Sequence, residues 1–266
     1  MDIKTVWHFI RGTSVTRDAT LTACAFACYG LLPVWKENSS FHQIADHSSV
    51  VYAGIEFLLG LLLVLRSNAA YERWWEARTL WGKLVNISRN LMIKANVYAQ
   101  PEVSELEQLH GYVVSFASQL KSKLRGSQIA GQDQYTHLPR DRSTEIYSML
   151  VRWRDEGRIS DDVLRILDSE AREFMEVCGA CERIATTPFP PSYKILLTQG
   201  VLLFMLILPW SLTTDLGVWQ IPVTFLHSYF YFGLLYLAHT QESPFGEHED
   251  DLDLEGICDV IHTTSY

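Results

Sequence analysis

Four long apolar segments govern what this chain can fold into: residues 20–35, 49–65, 195–212 and 217–238. None of them contains Lys or Arg, and the one acid among them is Glu56. A membrane-spanning helix needs about 20 mostly apolar residues, with roughly 17 as a lower limit. The third and fourth segments pass, and the first and second lie at the margin. A soluble bundle would need a very large core to bury two pairs of such segments, so the pattern predicts an all-α membrane protein with four transmembrane helices.

The basic residues give the orientation. Lys4, Arg11 and Arg17 precede the first span, and 18 of the 22 Lys and Arg lie between Arg66 and Lys194. The short connections, residues 36–48 and 213–216, hold only Lys36. Positive charge collects on the cytoplasmic side of membrane proteins, so both termini and the central region are expected there. Trp35, Trp210 and Trp219 fall at the expected outer boundary. Asn38-Ser39-Ser40 matches a glycosylation sequon, and His42 and His47 share the same exterior loop.

The central region reads as a cytoplasmic helical bundle. Leu80, Leu84, Ile87 and Leu91 continue a helical spacing out of the second span, with only Gly82 interrupting before Pro101. Further helices fit residues 101–123, 143–155 and 161–186, with a polar loop at 126–139. The cluster Thr187-Pro188-Phe189-Pro190-Pro191 stops the last of them. The expected organisation is therefore residues 1–66 with the first two spans, 67–194 as the cytoplasmic helical region, 195–240 with the last two spans, and 241–266 as an acidic cytoplasmic tail.

That tail explains the net charge of −9: it holds eight acids and no Lys or Arg, while the other 240 residues are close to neutral. No basic surface for nucleic acid follows. Cys178 and Cys181 form a lone CxxC without a second pair, which reads as small residues on a helix rather than zinc ligands. No GxGxxG, P-loop, HExxH or GxSxG pattern occurs, so no catalytic residues, metal or cofactor are expected.

Glu56 is the most informative single residue. A carboxylate in an apolar span costs several kcal/mol unless it is paired, protonated or in contact with water. Two readings stand: a partner on a neighbouring helix, or a place beside a water-filled pathway. Ala53, Phe57 and Leu61 form one stripe of the second span at i, i+4 and i+8, with Tyr52, Glu56 and Gly60 on the adjacent face. Around a symmetry axis, such a stripe makes a ring of apolar side chains beside a ring of carboxylates, a form of ion constriction. His227 in the fourth span reads as a hydrogen-bond partner for another helix.

The run from Gly60 to Arg78, GLLLVLRSNAAYERWWEAR, with Leu80-Trp81-Gly82 after it, resembles the bestrophin family in its prokaryotic branch. So do Cys181-Glu182-Arg183-Ile184 with Thr187-Pro188-Phe189-Pro190, Glu242-Ser243-Pro244-Phe245-Gly246 before the acidic stretch, and the early Arg11-Gly12 pair. The resemblance implies a homopentameric ion channel around one central pore, in the cell (inner) membrane, passing small monovalent ions. It makes Ala53, Phe57 and Leu61 the pore neck, with Ala53 standing where relatives carry a bulkier residue. A second, cytoplasmic constriction of the family falls near Ile159. Animal relatives bind calcium after Pro-Phe-Gly, where this chain has Glu247, Glu249, Asp250 and Asp251. His248 and Ser243 depart from that ligand pattern, and a hard cation prefers many oxygen ligands, so a solvated acidic segment is the expectation.

Ion preference stays open at this point. The family label points to chloride and other anions, whereas Glu56 and the acidic tail favour monovalent cations, which some bacterial relatives pass. Two other classes compete: a membrane scaffold whose cytoplasmic helices bind partners, and an intramembrane enzyme, for which Glu56 and His227 are a thin catalytic set.

Overall fold

A computed structural model describes residues 13–37, 39, 49–126 and 139–264. The Arg11-Gly12 pair, most of the sequon, His42, His47 and nearly all of the polar loop at 126–139 lie outside these residues. The described residues are helical wherever they are regular, and they form two compact units, Met1–Glu72 with Phe189–Glu242 and Arg73–Pro188 with Ser243–Tyr266. Each unit is thus assembled from segments distant in sequence.

The first unit carries the apolar helices. These are α1 (Ser14–Tyr29), α2 (Leu31–Glu37), the beginning of α3 (Ser49–Ala99), α7 (Pro191–Leu216) and α8 (Gln220–Gln241). The first span begins earlier than its hydropathy suggests, and it breaks at Gly30. A Cβ at Gly30 would lie 2.9 Å from Gln220 Nε2. That amide donates to the Gly30 carbonyl and its oxygen accepts from Thr224 Oγ1, so the break is closed by a buried polar link. Residues 213–216, expected as a loop, are the last turn of α7. The chain reverses at Gly217, whose φ of 55° and ψ of −128° suit glycine alone, through a short 3₁₀ turn, Gly217–Trp219.

Lipid offers no hydrophobic drive between helices, so packing and interhelical hydrogen bonds must join them. Both are present. Phe26 of α1 stacks on Phe232 of α8 at 5.3 Å, and Thr22 Oγ1 lies 2.9 Å from Tyr236 Oη. Trp210 Nε1 donates to Tyr29 Oη at 2.7 Å. Tyr193 Oη of α7 donates to the Leu62 carbonyl of α3. Leu59, Leu63, Val201, Phe204, Met205 and Leu208 form the buried centre. Gly200 allows the closest approach, because a Cβ there would sit 3.1 Å from Leu59 Cδ2.

The second unit has a core of the kind found in water-soluble bundles. It comprises the remainder of α3, α4 (Val103–Gly126), α5 (Pro139–Asp155), α6 (Asp161–Thr186) and α9 (Leu254–Thr264). Of the run expected on α3, Leu80 is partly buried at the margin, while Leu84, Ile87 and Leu91 are buried, with Trp81 beside them. They pack in one cluster with Phe116, Trp153, Phe174 and Cys181; each fully buried side chain of this size contributes about 1.5–3 kcal/mol. α3 ends at Ala99, where Gln100 takes φ 44° and Pro101 prevents continuation. Ser160 caps α6 by accepting from Val163 N, with Asp161 and Asp162 in the first turn.

Residues 243–266, expected as a separate acidic tail, are part of this second unit. Phe245, Leu252, Leu254 and Ile261 are buried in its core, and Glu255 pairs with Lys121 at 2.5 Å and Arg125 at 3.1 Å on α4. Glu247, Glu249, Asp253, Glu255 and Asp259 are exposed on a segment whose apolar residues hold it down.

Candidate functional site

The expected neck stripe is an exposed face of α3. Phe57 is 75% exposed and Leu61 47%, and Ala53 is exposed above them. The opposite face of the same turns, Leu59 and Leu63, is buried against α7. An apolar stripe left uncovered by its own chain needs lipid, another copy or a pore around it.

Glu56 turns away from that stripe toward α8. Its Oε1 lies 3.0 Å from His227 Nε2, and Tyr231 Oη donates to the Glu56 backbone carbonyl at 2.9 Å. His227 Nδ1 lies 2.9 Å from the Val223 carbonyl. The carboxyl group thus has a partner one helix away, and α3 and α8 are joined at two levels.

At the other end of this unit is a buried charge cluster that the sequence reading did not single out. Arg66, 2% exposed, directs Nε and Nη2 to Glu242 Oε1 at 3.2 and 2.9 Å. Lys194 Nζ donates to Glu242 Oε2 at 3.3 Å and to His239 Nδ1 at 2.8 Å. His239 Nδ1 is 3.8 Å from Glu242 Oε2, beyond hydrogen-bond range. The ends of the second, third and fourth apolar segments meet on one carboxylate. Arg66 and Glu242 each sit in a motif quoted above, and that shared membership was the available signal.

The same holds in the helical unit. Arg73 Nη2 donates to the Ile184 carbonyl, Arg183 Nη2 to Glu76 Oε1 at 2.6 Å, and Trp74 Nε1 to the Asp250 carbonyl at 3.1 Å. The three motifs, distant in sequence, hold one another. Beside them Cys178 and Cys181 are buried, and burial pushes both thiols up to about 12. Cys178 Sγ donates to Glu182, which also takes Lys123.

Of the acidic residues, Asp250 offers its carbonyl to Trp74, and Asp251 Oδ2 accepts from His248 N at 2.7 Å. Burial raises the Asp251 pKa. Glu247 lies 3.6 Å from Arg125, and Glu249 is exposed. Among the described residues, no three His, Cys, Asp or Glu side chains group closely enough to hold a metal ion. Ile159, expected near a cytoplasmic constriction, is 6% exposed in the single chain and packs in the helical core.

The profile described as bacterial/fungal bestrophin protein matches residues 3–265. The chain belongs to the bacterial/fungal bestrophin family. It is 34% identical over 221 residues to the voltage-dependent anion channel-forming protein mll4386 of Mesorhizobium japonicum, covering 78% of this chain and 71% of that one. It is 32% identical over 218 residues to the voltage-dependent anion channel-forming protein YneE of Escherichia coli K12, covering 76% and 71%. The crystal structure of a bacterial bestrophin homologue from Klebsiella pneumoniae superposes with a TM-score of 0.84 at 25% identity, covering 92% of this chain and 96% of that one. As a bestrophin, the chain is a membrane protein, and the family and its relatives' names agree with a channel rather than an enzyme. Two helical stretches, Tyr52–Ala99 and Pro191–Gln241, are long and apolar enough to cross a membrane.

Proposed function

We propose that this chain forms a homopentameric channel in the cell membrane that passes small monovalent anions such as chloride, with Ala53, Phe57 and Leu61 of α3 lining its neck. The exposed Phe57 and Leu61 stripe carries the reading. Five copies arranged around one axis would turn this stripe into apolar rings, which restrict ions by dewetting. The anion channel names of relatives sharing about a third of their residues support the ion class. The four apolar segments support four spans, and the Lys and Arg distribution supports cytoplasmic termini.

Cation preference rested on an ionised Glu56 and on the acidic tail, and the contact between Glu56 and His227 weakens the first of these. Calcium is not assigned a role, and the scaffold reading has no observation in its favour. The test is purified protein in planar bilayers under a KCl gradient. A reversal potential on the chloride side supports the proposal; one on the potassium side, or no conductance, rejects it. Mass measurement of the detergent-solubilised complex tests the assembly, and a stable monomer or dimer rejects the pentamer.

A further inference from the structure

The hydrogen bonds around His227 count protons. The Val223 carbonyl, 2.9 Å from Nδ1, can only accept, so Nδ1 carries a hydrogen. Nε2 then faces Glu56 Oε1 at 3.0 Å. With Nδ1 protonated, that contact is a hydrogen bond in three forms: imidazolium donating to carboxylate, carboxylic acid donating to neutral imidazole, or, with a second proton, imidazolium donating to the carbonyl oxygen of the acid. The first two hold one shared proton and sum to zero charge; the third leaves one uncompensated positive charge, which an apolar span disfavours. The remaining form, neutral imidazole facing a bare carboxylate, sets two lone pairs against each other.

Within the described spans, no second charged side chain stands beside the pair. Glu56 is the one charged residue of α3 between Tyr52 and Leu65, and His227 the one ionisable imidazole of α8 between Gln220 and Leu237. Residues 195–212 of α7 and 19–35 of α1 and α2 contain no Asp, Glu, Lys, Arg or His. Tyr231 is the titratable neighbour, and its hydroxyl is engaged with the Glu56 backbone carbonyl. An ionised Glu56 without that proton would depend for compensation on water reaching the 38% of its side chain that is exposed.

We infer that Glu56 and His227 hold one proton between them and act as a single neutral unit, so that His227 is the residue that allows a carboxyl group to stand beside an anion pathway. The inference deepens the proposed anion channel and rests on it for the pathway, though not for the proton. It reverses what Glu56 alone suggests. Glu56→Gln keeps a neutral hydrogen-bonded pair and leaves selectivity unchanged. His227→Gln keeps a donor toward Glu56 but removes the shared proton, exposing one negative charge per subunit. Chloride-to-potassium permeability then falls by about tenfold or more, most at low salt. The double variant returns to the wild-type ratio.

Two measurements decide. The first is the reversal potential of the wild type and the three variants in a KCl gradient. A fall in the His227→Gln variant that the double variant reverses, with Glu56→Gln unchanged, supports the inference. A shift toward anions in Glu56→Gln, or no shift in His227→Gln, overturns it. The second is ¹⁵N NMR of histidine-labelled wild-type protein, which needs no current and no variant to fold. A protonated Nδ1 with Nε2 in hydrogen-bond exchange with a carboxyl group supports the shared proton. A neutral ring protonated only at Nε2 beside an ionised carboxylate overturns it. Absence of current in every protein would reject the channel while leaving the NMR result to stand.

Discussion

Arg66 places two of its nitrogens on a single oxygen of Glu242, at 3.2 and 2.9 Å, across 176 residues of chain. Both side chains are nearly inaccessible, so each is the other's main compensation for leaving water. Removing one partner of a buried pair strands a charge and typically costs about 3–5 kcal/mol. Arg66→Ala and Glu242→Ala should each lower the thermal midpoint in detergent by several degrees. Lys194→Ala, which touches the same carboxylate from a more exposed position, should cost less. Equal midpoints for Arg66→Ala and the wild type would refute this role.

The same cluster sets an acid limit with a definite sign. Burial alone would raise the Glu242 pKa; the nearby His239, the hydrogen bonds of Arg66 and the charges of Arg66 and Lys194 reverse this and hold it at about 2 against an ordinary 4.5. A pKa depressed by folding contributes stability that is complete above about pH 4.5 and is lost as the pH falls toward 2. The contribution is on the order of 3 kcal/mol. Thermal midpoints taken from pH 6 to pH 3 should fall more steeply for the wild type than for Glu242→Gln.

Phe57→Ala and Leu61→Ala should raise conductance or open probability without lowering the stability of the subunit. Their side chains are exposed on α3, so truncation leaves no cavity within one chain. Single-channel recordings paired with thermal midpoints test the separation. A loss of stability as large as that of a core truncation would place these residues in packing rather than in a neck.

Ile159→Ala should behave in the opposite way. A buried Ile reduced to Ala costs about 2–5 kcal/mol, so folded yield and midpoint should drop while the unit conductance of surviving channels stays the same. An altered conductance at unchanged stability would place it in a constriction.

Thiol chemistry offers a further check on the helical unit. Cys178 and Cys181 are buried in an environment that keeps them as thiols up to about 12, and the thiolate is the reactive form. Native protein treated with maleimide at pH 8 should leave both unmodified by peptide mass spectrometry, and denaturant should expose both. Rapid modification in the native state would show the core to be open.

The apolar segments and the helical bundle were legible because each rests on local pattern: long runs without charge, or Leu80, Leu84, Ile87 and Leu91 at helical spacing. The connection expected at 213–216 lies instead at Gly217–Trp219, since hydropathy does not register the conformation that glycine alone permits. The acidic segment was misread for a related reason. Eight acids dominate its composition, while the residues that decide its fate are Phe245, Leu252, Leu254 and Ile261, too few to form a periodic signal. Glu56 was legible as needing a partner, and His227 as able to be one. Their pairing was not, because distance between helices 171 residues apart leaves no trace in a single sequence. Ile159 was taken from a loose correspondence, and no pattern on either side of it could have shown that it points inward.

Each of the two units is completed by a segment encoded long after its beginning: Phe189–Glu242 for one and Ser243–Tyr266 for the other. During synthesis, the core around Trp81, Phe116 and Phe174 exists for some time without Phe245, Leu254 and Ile261 to close it. Synthesis from the N-terminus leaves that side of the core uncovered until residues 245–261 have been added, so the helical unit closes only after the apolar helices that precede them have been made.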